Sequence, residues 1–257
     1  MTEYALTVPD IDLYKPLFLV DNLLELGTLG GDTESNLNAL KGRFLGDSWQ
    51  SPGYTIILGL ALPAHASANA IGISNHTFDG ETTIEIQYSD DGGSTYISAG
   101  VFLPKPGRTL FLTFPRVTGA DWLIIIGAQA GLKIGYLAIG PTVDFERGIY
   151  AGVVPTALAR ETSYLIDNGE TQYTGNRVIR ERITQQAEIT NLTAQWVRLY
   201  GGPLALKLRD KSAFYAWRSG KYQSDAVYGW SDGDAQMTHT GPRDLMNWSV
   251  TLRGVDQ

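Results

Sequence analysis

Cysteine does not occur anywhere in the 257 residues. Disulfide staples and thiolate metal sites are thereby excluded, while the compartment is left open. Histidine is scarce as well, with His65, His76 and His239 the whole complement. A zinc centre needs several converging ligands. His65 and His76 lie a strand's length apart with no H-x-x-x-H pattern, so surface or hydrogen-bonding roles are expected. Charge is thin at 18% of residues, below the usual quarter. Long apolar runs are missing too. "YTIILGLAL" and "WLIIIGAQA" are far shorter than the roughly 20 residues a membrane helix needs. The start, "MTEYALTVPDIDLY", has neither the basic nor the apolar region of a signal peptide. Neither membrane insertion nor a secretory leader is expected.

The sign of the charge narrows the partners. Net charge is −7 and the sequence pI is about 5.0. Phosphate backbones would be repelled. The one basic cluster, "RVIRER" at Arg177 to Arg182, sits beside Glu181 and Glu188, so direct nucleic-acid binding is not expected. Chemistry-bearing motifs are absent. There is no P-loop or dinucleotide fingerprint and no G-x-S-x-G elbow, and no cofactor and no metal are expected. Glu85, Asp144, Glu146 and Glu161 show no spacing typical of a glycosidase pair, although such pairs converge in space rather than in sequence. The turn "SDGDA" places Asp232 and Asp234 around Gly233. It lacks the further carboxylates of a calcium loop and reads as a hairpin turn.

What is present is β-sheet. Hydrophobic residues make up 43%, aromatics 11%, and the chain holds 29 glycines. Many of the glycines separate short β-branched runs, which is how an all-β chain reads. From Tyr54 to Gly140 about seven strands are expected. "YTIILGLALP", "ANAIGISNHTF", "TTIEIQYS", "TYISAGVFL", "RTLFLTFPRV", "DWLIIIGAQ" and "LKIGYLAIG" form a sandwich or jelly roll. "DWLIIIGAQ" reads as covered on both faces. Thr33 to Leu40 is expected to form one helical turn, with Thr33 or Ser35 as N-cap. Beyond Pro141 the alternation weakens. Asn168-Gly169 suits a type I′ hairpin, "RVIRERITQQAEI" is read as a long polar strand in preference to a helix, and "ALKLRD" is read as strand-like. "AVYGW", "SDGD" and "AQMTHT" form an expected hairpin. The closing "NWSVTLRG" places Trp248, Val250 and Leu252 inside and Ser249, Thr251 and Arg253 outside.

Two groups of residues stand out. "SDDGGSTY", Ser89 to Tyr96, resembles the Asp-box of sialidases in Ser89, Asp91, Gly93 and Thr95. One copy, without the arginine clamp and tyrosine nucleophile of those enzymes, is expected to brace a hairpin and to do no chemistry. Phe214, Tyr215, Trp217, Tyr222, Tyr228, Trp230 and Trp248 crowd the C-terminal third. They are expected to divide between core and an interface or sugar platform.

"AIGISNHTFDGETTIEIQYSDDGGSTY" and "DWLIIIGAQAGLKIGYLAIGP" resemble the galactose-binding (discoidin-like) jelly rolls of phage tail proteins. "AFYAWRSGKYQSDAVYGWSDGDAQMTHTGPRDLMNWSVTLRG" resembles the C-terminal part of distal tail proteins of long-tailed phages. The resemblance implies a galactose-binding-like sandwich at residues 16–140, inserted into a split β-barrel belt domain of residues 1–15 and 141–257. It further implies a non-enzymatic virion component, assembled in host cytoplasm as a hexameric ring. Its partners would be its own copies, the tail tube protein and the tail-tip hub with other minor tail proteins. The alternative is a carbohydrate-binding module meeting a surface glycan, with Phe78 in "NHTFDG" as the candidate platform.

Overall fold

The computed structural model describes residues 5–7, 15–31, 36–42, 47–106, 109–149, 153, 160–165, 177–218, 222, 225–240 and 244–254; for 5–7 and 160–182 it describes backbone pairing only. Two antiparallel sheets of eight strands each carry the chain. The first holds β1 (Ala5–Thr7), β3 (Thr28–Gly31), β4 (Trp49–Pro52), β5 (Ile56–His76), β6 (Ile84–Ser89), β7 (Ile97–Phe102), β8 (Leu110–Ile126) and β9 (Ala130–Gly140). Their order is β1-β7-β6-β8-β5-β9-β4, with β3 on β5 outside that path. The second holds β2 (Leu17–Leu19), β10 (Thr142–Asp144), β11 (Arg160–Leu165), β12 (Arg177–Thr193), β13 (Ala213–Ala216), β14 (Ala226–Ser231), β15 (Gln236–His239) and β16 (Leu245–Gly254). Its order is β10-β2-β13-β14-β16-β12-β11, with β15 on β16.

The first sheet folds over itself into a sandwich. β5 and β8 pair along their whole length, but the register breaks between Ala61 and Ala66 and again between Ala68 and Ala70. Before the break they join β3 and β6; after it β5 joins β9. Each long strand therefore serves both layers and turns the corner at its bulges. This is why the seven strands expected here are five, β5 to β9: the prolines and glycines taken as strand ends lie at bends within continuous strands. Alternation fills the space between the layers with Ile56, Leu58, Ile71, Ile73, Ile84, Ile86, Leu110, Leu112, Trp122, Ile124, Leu137 and Ile139. In "DWLIIIG" only one face is covered. Trp122, Ile124 and Ile126 are buried, while Leu123 and Ile125 are half-buried on the outside. The early helical turn is a 3-10 helix, Leu37–Lys41, which starts after Asn36 without a side-chain cap bond; Thr33 and Ser35 lie outside the described residues.

The second sheet curls around a helical segment that its sequence hides. Ala194–Trp196, a π-turn Val197–Gly201 and the helix Gly202–Asp210 follow one another. Gly201-Gly202-Pro203 reads as a breaker. Here Pro203 occupies the first turn of the helix, where a missing N–H costs nothing, and "ALKLRD" is helix, not strand. Leu204 and Leu208, one turn apart, meet Trp248, Val250 and Leu252 of β16 in a second core with Phe18, Phe145 and Tyr215. The start is held by side chains. Glu146 accepts from Thr193 N and Oγ1 (2.9 and 2.7 Å), and Thr193 Oγ1 accepts from Trp196 N at 3.2 Å. "RVIRERITQQAEI" is strand, in β12. Asn168-Gly169 lies outside the described residues, between the paired strands β11 and β12.

A third core joins the sheets. Leu17 and Leu19 of β2, Phe214 and Ala216 of β13, and Ala226 and Tyr228 of β14 pack on Ala70, Phe111, Tyr136 and Ala138 of the sandwich. Tyr136 stacks on Tyr228 at 4.5 Å and on Phe214 at 5.9 Å. Gly72 makes room for this, since a Cβ there would lie 2.5 Å from the Phe214 ring. Buried Asn22 pins the chain between β2 and β9: it donates to Leu137 O at 3.0 Å and accepts from Ile139 N at 3.2 Å. Strand membership departs from the expected division at two short elements. β1 pairs with β7 of the first sheet, and β2 pairs with β13 and β10 of the second.

Candidate functional site

The stretch Asp232–Ala235 is not a hairpin turn. β14 and β15 do not pair with each other; both pair with β16, Ser231 opposite Leu252 and Gln236 opposite Ser249. The residues between them bulge from an otherwise continuous neighbour of β16. Asp232 N still donates to Thr251 O at 2.7 Å, and Gly233 takes a φ of +89°. The sequence signal that misled is Asp-Gly itself, which suits a bulge as well as a turn. The hairpin lies one strand later, where Thr240 N donates to Leu245 O at 2.9 Å.

The bulge forms one wall of a cleft of about 280 Å³, lined by Gln186, Asp232, Asp234, Gln236, Ser249 and Thr251. Strand register explains the gathering. Gln186 lies opposite Thr251 and Glu188 opposite Ser249; Gln236 lies opposite Ser249 and Trp230 opposite Arg253. Paired residues and their i±2 neighbours share one face of a sheet. The other face carries Trp248, Val250 and Leu252 into the core. The carboxylates have cationic partners. Arg253 Nη2 meets Asp232 Oδ2 at 2.7 Å, and Arg209 grips Asp234 with Nε at 2.8 Å and Nη2 at 3.1 Å. Exposed pairs like these stabilise little; their effect is to neutralise and orient two acceptor groups.

The aromatics of the C-terminal third divide. Phe214, Tyr215, Tyr228 and Trp248 are buried. Burial, with Asp225 adding to it, pushes the Tyr215 phenol well above its usual range, and its hydroxyl has no partner among the described residues. Trp248 donates from its indole to Gly201 O at 3.1 Å. Trp217 is half-buried and stacks on exposed Tyr222 at 5.7 Å. Trp230 is 37% exposed.

Phe78 is not a platform. It is 1% exposed and belongs to the sandwich core, because "HTFDG" turns inward at Phe78. Its exposed neighbour Asp79 takes the turn instead, accepting from Glu81 N at 2.8 Å and Thr82 N at 2.9 Å. In the Asp-box-like turn, Asp91 accepts from Ser89 Oγ (2.7 Å), Ser94 N (3.0 Å), Thr95 N (2.9 Å) and the Thr95 hydroxyl. Ser89 Oγ in turn accepts from Gly93 N at 2.9 Å. The Thr95 and Ser89 hydroxyls hold the Asp91 carboxyl well below the usual carboxylate range.

The remaining acids and histidines serve separate local contacts. Glu85 accepts from Gln87 Nε2, Asp144 from Thr142 Oγ1, and Glu146 holds Thr193. The Glu161 side chain lies outside the described residues. His65 Nε2 lies 3.1 Å from Asp90 O, and His76 Nδ1 accepts from Phe78 N at 3.4 Å; His239 is exposed on β15. Among the described residues, no group of three or more His, Asp or Glu could hold a metal ion, and no helix is long and apolar enough to cross a membrane.

No family model and no curated protein matches this chain. Solved structures are similar to about half of it. The SpGH29 structure has a TM-score of 0.40 at 18% identity, covering 48% of this chain; this chain spans 28% of that one. CpGH89CBM32-6 of Clostridium perfringens has a TM-score of 0.39 at 16% identity, covering 46% of this chain and 98% of that one. Chitosan-binding module 1, from a chitosanase/glucanase of Paenibacillus sp. IK-5, has a TM-score of 0.39 at 15% identity, covering 46% and 98%. Carbohydrate-binding modules thus stand beside a glycoside hydrolase among the similar structures. Likeness at this level says nothing of ligand or activity.

Proposed function

We propose that the chain is a non-catalytic carbohydrate-binding protein whose ligand occupies the cleft beside the Asp232–Ala235 bulge. One observation carries the reading: amides (Gln186, Gln236), hydroxyls (Ser249, Thr251) and charge-paired carboxylates (Asp232, Asp234) open onto a single cleft. A polyhydroxylated ligand needs donors and acceptors in such a mixture and little net charge. Hydrolysis by a carboxyl pair needs two acids free to face the scissile bond. Here each is tied to a guanidinium.

The test is a glycan microarray followed by titration calorimetry on the intact chain. Retention of a glycan is expected. Gln186→Ala and Gln236→Ala should each weaken it about five- to tenfold, the worth of one neutral hydrogen bond. A chain that retains no glycan sinks the reading.

A different feature favours a second reading. Leu199, Tyr200 and Leu206 are exposed along the helical segment, at 58%, 54% and 60%. β12 also runs on past its pairing with β16, to meet β11 from Ile183 backwards. Exposed apolar side chains and a projecting ribbon are what a subunit uses to join copies of itself. On this reading the chain is a structural part of a phage tail tip, a ring of six between tail tube and hub in the virion. Negative-stain images separate the two: rings favour the adaptor, and monomers that still bind glycan favour the module.

A further inference from the structure

We infer that the cleft takes a neutral pyranose stacked on Trp230 and discriminates against uronic and sialic acids, an inference that rests on the carbohydrate reading above. Trp230 is the last large residue before the bulge. It does not line the cleft itself but lies beside it, opposite Arg253, on the sheet face that carries Gln186, Ser249 and Thr251 towards the cleft. Trp49, Trp122 and Trp248 are all fully buried, whereas Trp230 is left in contact with solvent. Its position is fixed from below. The ring leans on Tyr228 at 5.7 Å and 57°, and Tyr228 is itself gripped by Tyr136 at 4.5 Å, Phe214 at 4.7 Å and the Ser212 hydroxyl at 2.8 Å. A rigid indole with one wet side can accept the apolar C–H face of a pyranose, while its hydroxyls turn to the amides and carboxylates.

Charge decides between ligands. An acidic sugar needs a guanidinium to receive its carboxylate. Arg253 and Arg209 are both engaged, by Asp232 and Asp234. Glu188, opposite Ser249, adds a third carboxylate to that face, so among the described residues there an anion meets repulsion and no unengaged guanidinium. A neutral ligand meets neither that repulsion nor the need for a counter-charge.

The experiment titrates the intact protein with neutral oligosaccharides, with a galacturonan fragment and with a sialylated trisaccharide, at low and high salt. Neutral binding is expected to be indifferent to salt. Trp230→Ala should weaken it at least about tenfold, Trp230→Phe should retain most of it, and ligand should alter tryptophan emission in the wild type but not in Trp230→Phe. Should Trp230→Ala unfold, the Trp230→Phe emission decides. A preference for the acidic glycans, or neutral binding untouched by loss of Trp230 while Gln186→Ala still weakens it, overturns this inference and leaves the carbohydrate reading standing. Failure of every glycan overturns that reading itself.

Discussion

Replacing Gly72 by alanine tests how tightly the two sheets are locked. Gly72 has no left-handed φ, so on backbone grounds alone alanine should stabilise by about 0.4–1 kcal/mol through the unfolded chain. Packing opposes this. The new Cβ would stand 2.5 Å from Cδ2 and Cγ of Phe214 and 2.7 Å from Cε2, where carbon atoms prefer roughly 3.5–4.0 Å. The ring would have to retreat by about 1 Å. It cannot do so freely, because Tyr136 stacks on one side and Tyr228 lies 4.7 Å away. Overpacking of this kind costs about 1–3 kcal/mol, so after the backbone gain Gly72→Ala should destabilise by about 1 kcal/mol net. Phe214→Ala should cost about 3–5 kcal/mol. In that background the added methyl enters space the ring has left, and Gly72→Ala should become neutral or stabilising. The cycle therefore predicts a coupling of about 2 kcal/mol. Urea unfolding followed by tryptophan emission and far-ultraviolet dichroism measures it, provided the two probes coincide. An identical cost for Gly72→Ala in both backgrounds would refute the reasoning.

Two other outcomes follow from the same geometry. Asp91 has a depressed folded-state pKa, so its contribution is complete above the unfolded carboxylate value of about 3.9 and declines as pH falls from there towards the folded value. Protection of the Ser94 and Thr95 amides, measured against their intrinsic exchange rates, should fall in that acid range, and in Asp91→Ala at every pH; protection indifferent to Asp91 would show that the turn is held without its carboxylate. Phe78→Ala should lower stability by about 3–5 kcal/mol while the folded fraction keeps its glycan affinity. A variant with unchanged thermal midpoint and lost binding would return Phe78 to the surface.

Alternation made much of this architecture legible. Ile84 and Ile86, Leu110 and Leu112, and Trp248, Val250 and Leu252 all face the cores their spacing assigns. The errors have local causes. Bulged strands such as β5 carry their Pro63 and glycines inside the strand, so punctuation was read as strand ends. The helix at Gly202–Asp210 was invisible because a π-turn feeds it through Gly201-Gly202. The cleft escaped for a longer-range reason. Gln186, Asp232 and Thr251 lie far apart in sequence, and only pairing in register with β16 brings them to one face. The signal in the sequence is the run of alternating polar residues at 249, 251 and 253, while Asp-Gly suits a bulge as well as a turn.

The interleaving of strands has a bearing on how the protein is made. A ribosome delivers the sandwich complete once Gly140 has emerged, and by then Leu17–Leu19 is already laid along it by the Asn22 contacts. The second sheet has no such luck: β16, whose Trp248, Val250 and Leu252 close its core, follows the sandwich only after β10 to β15 and the helical segment have been made. Until β13 and β14 follow, the nascent chain would display Phe111, Tyr136 and Ala138 on a sandwich flank roofed only by Leu17 and Leu19, a sticky intermediate that slow translation or a chaperone would have to shelter.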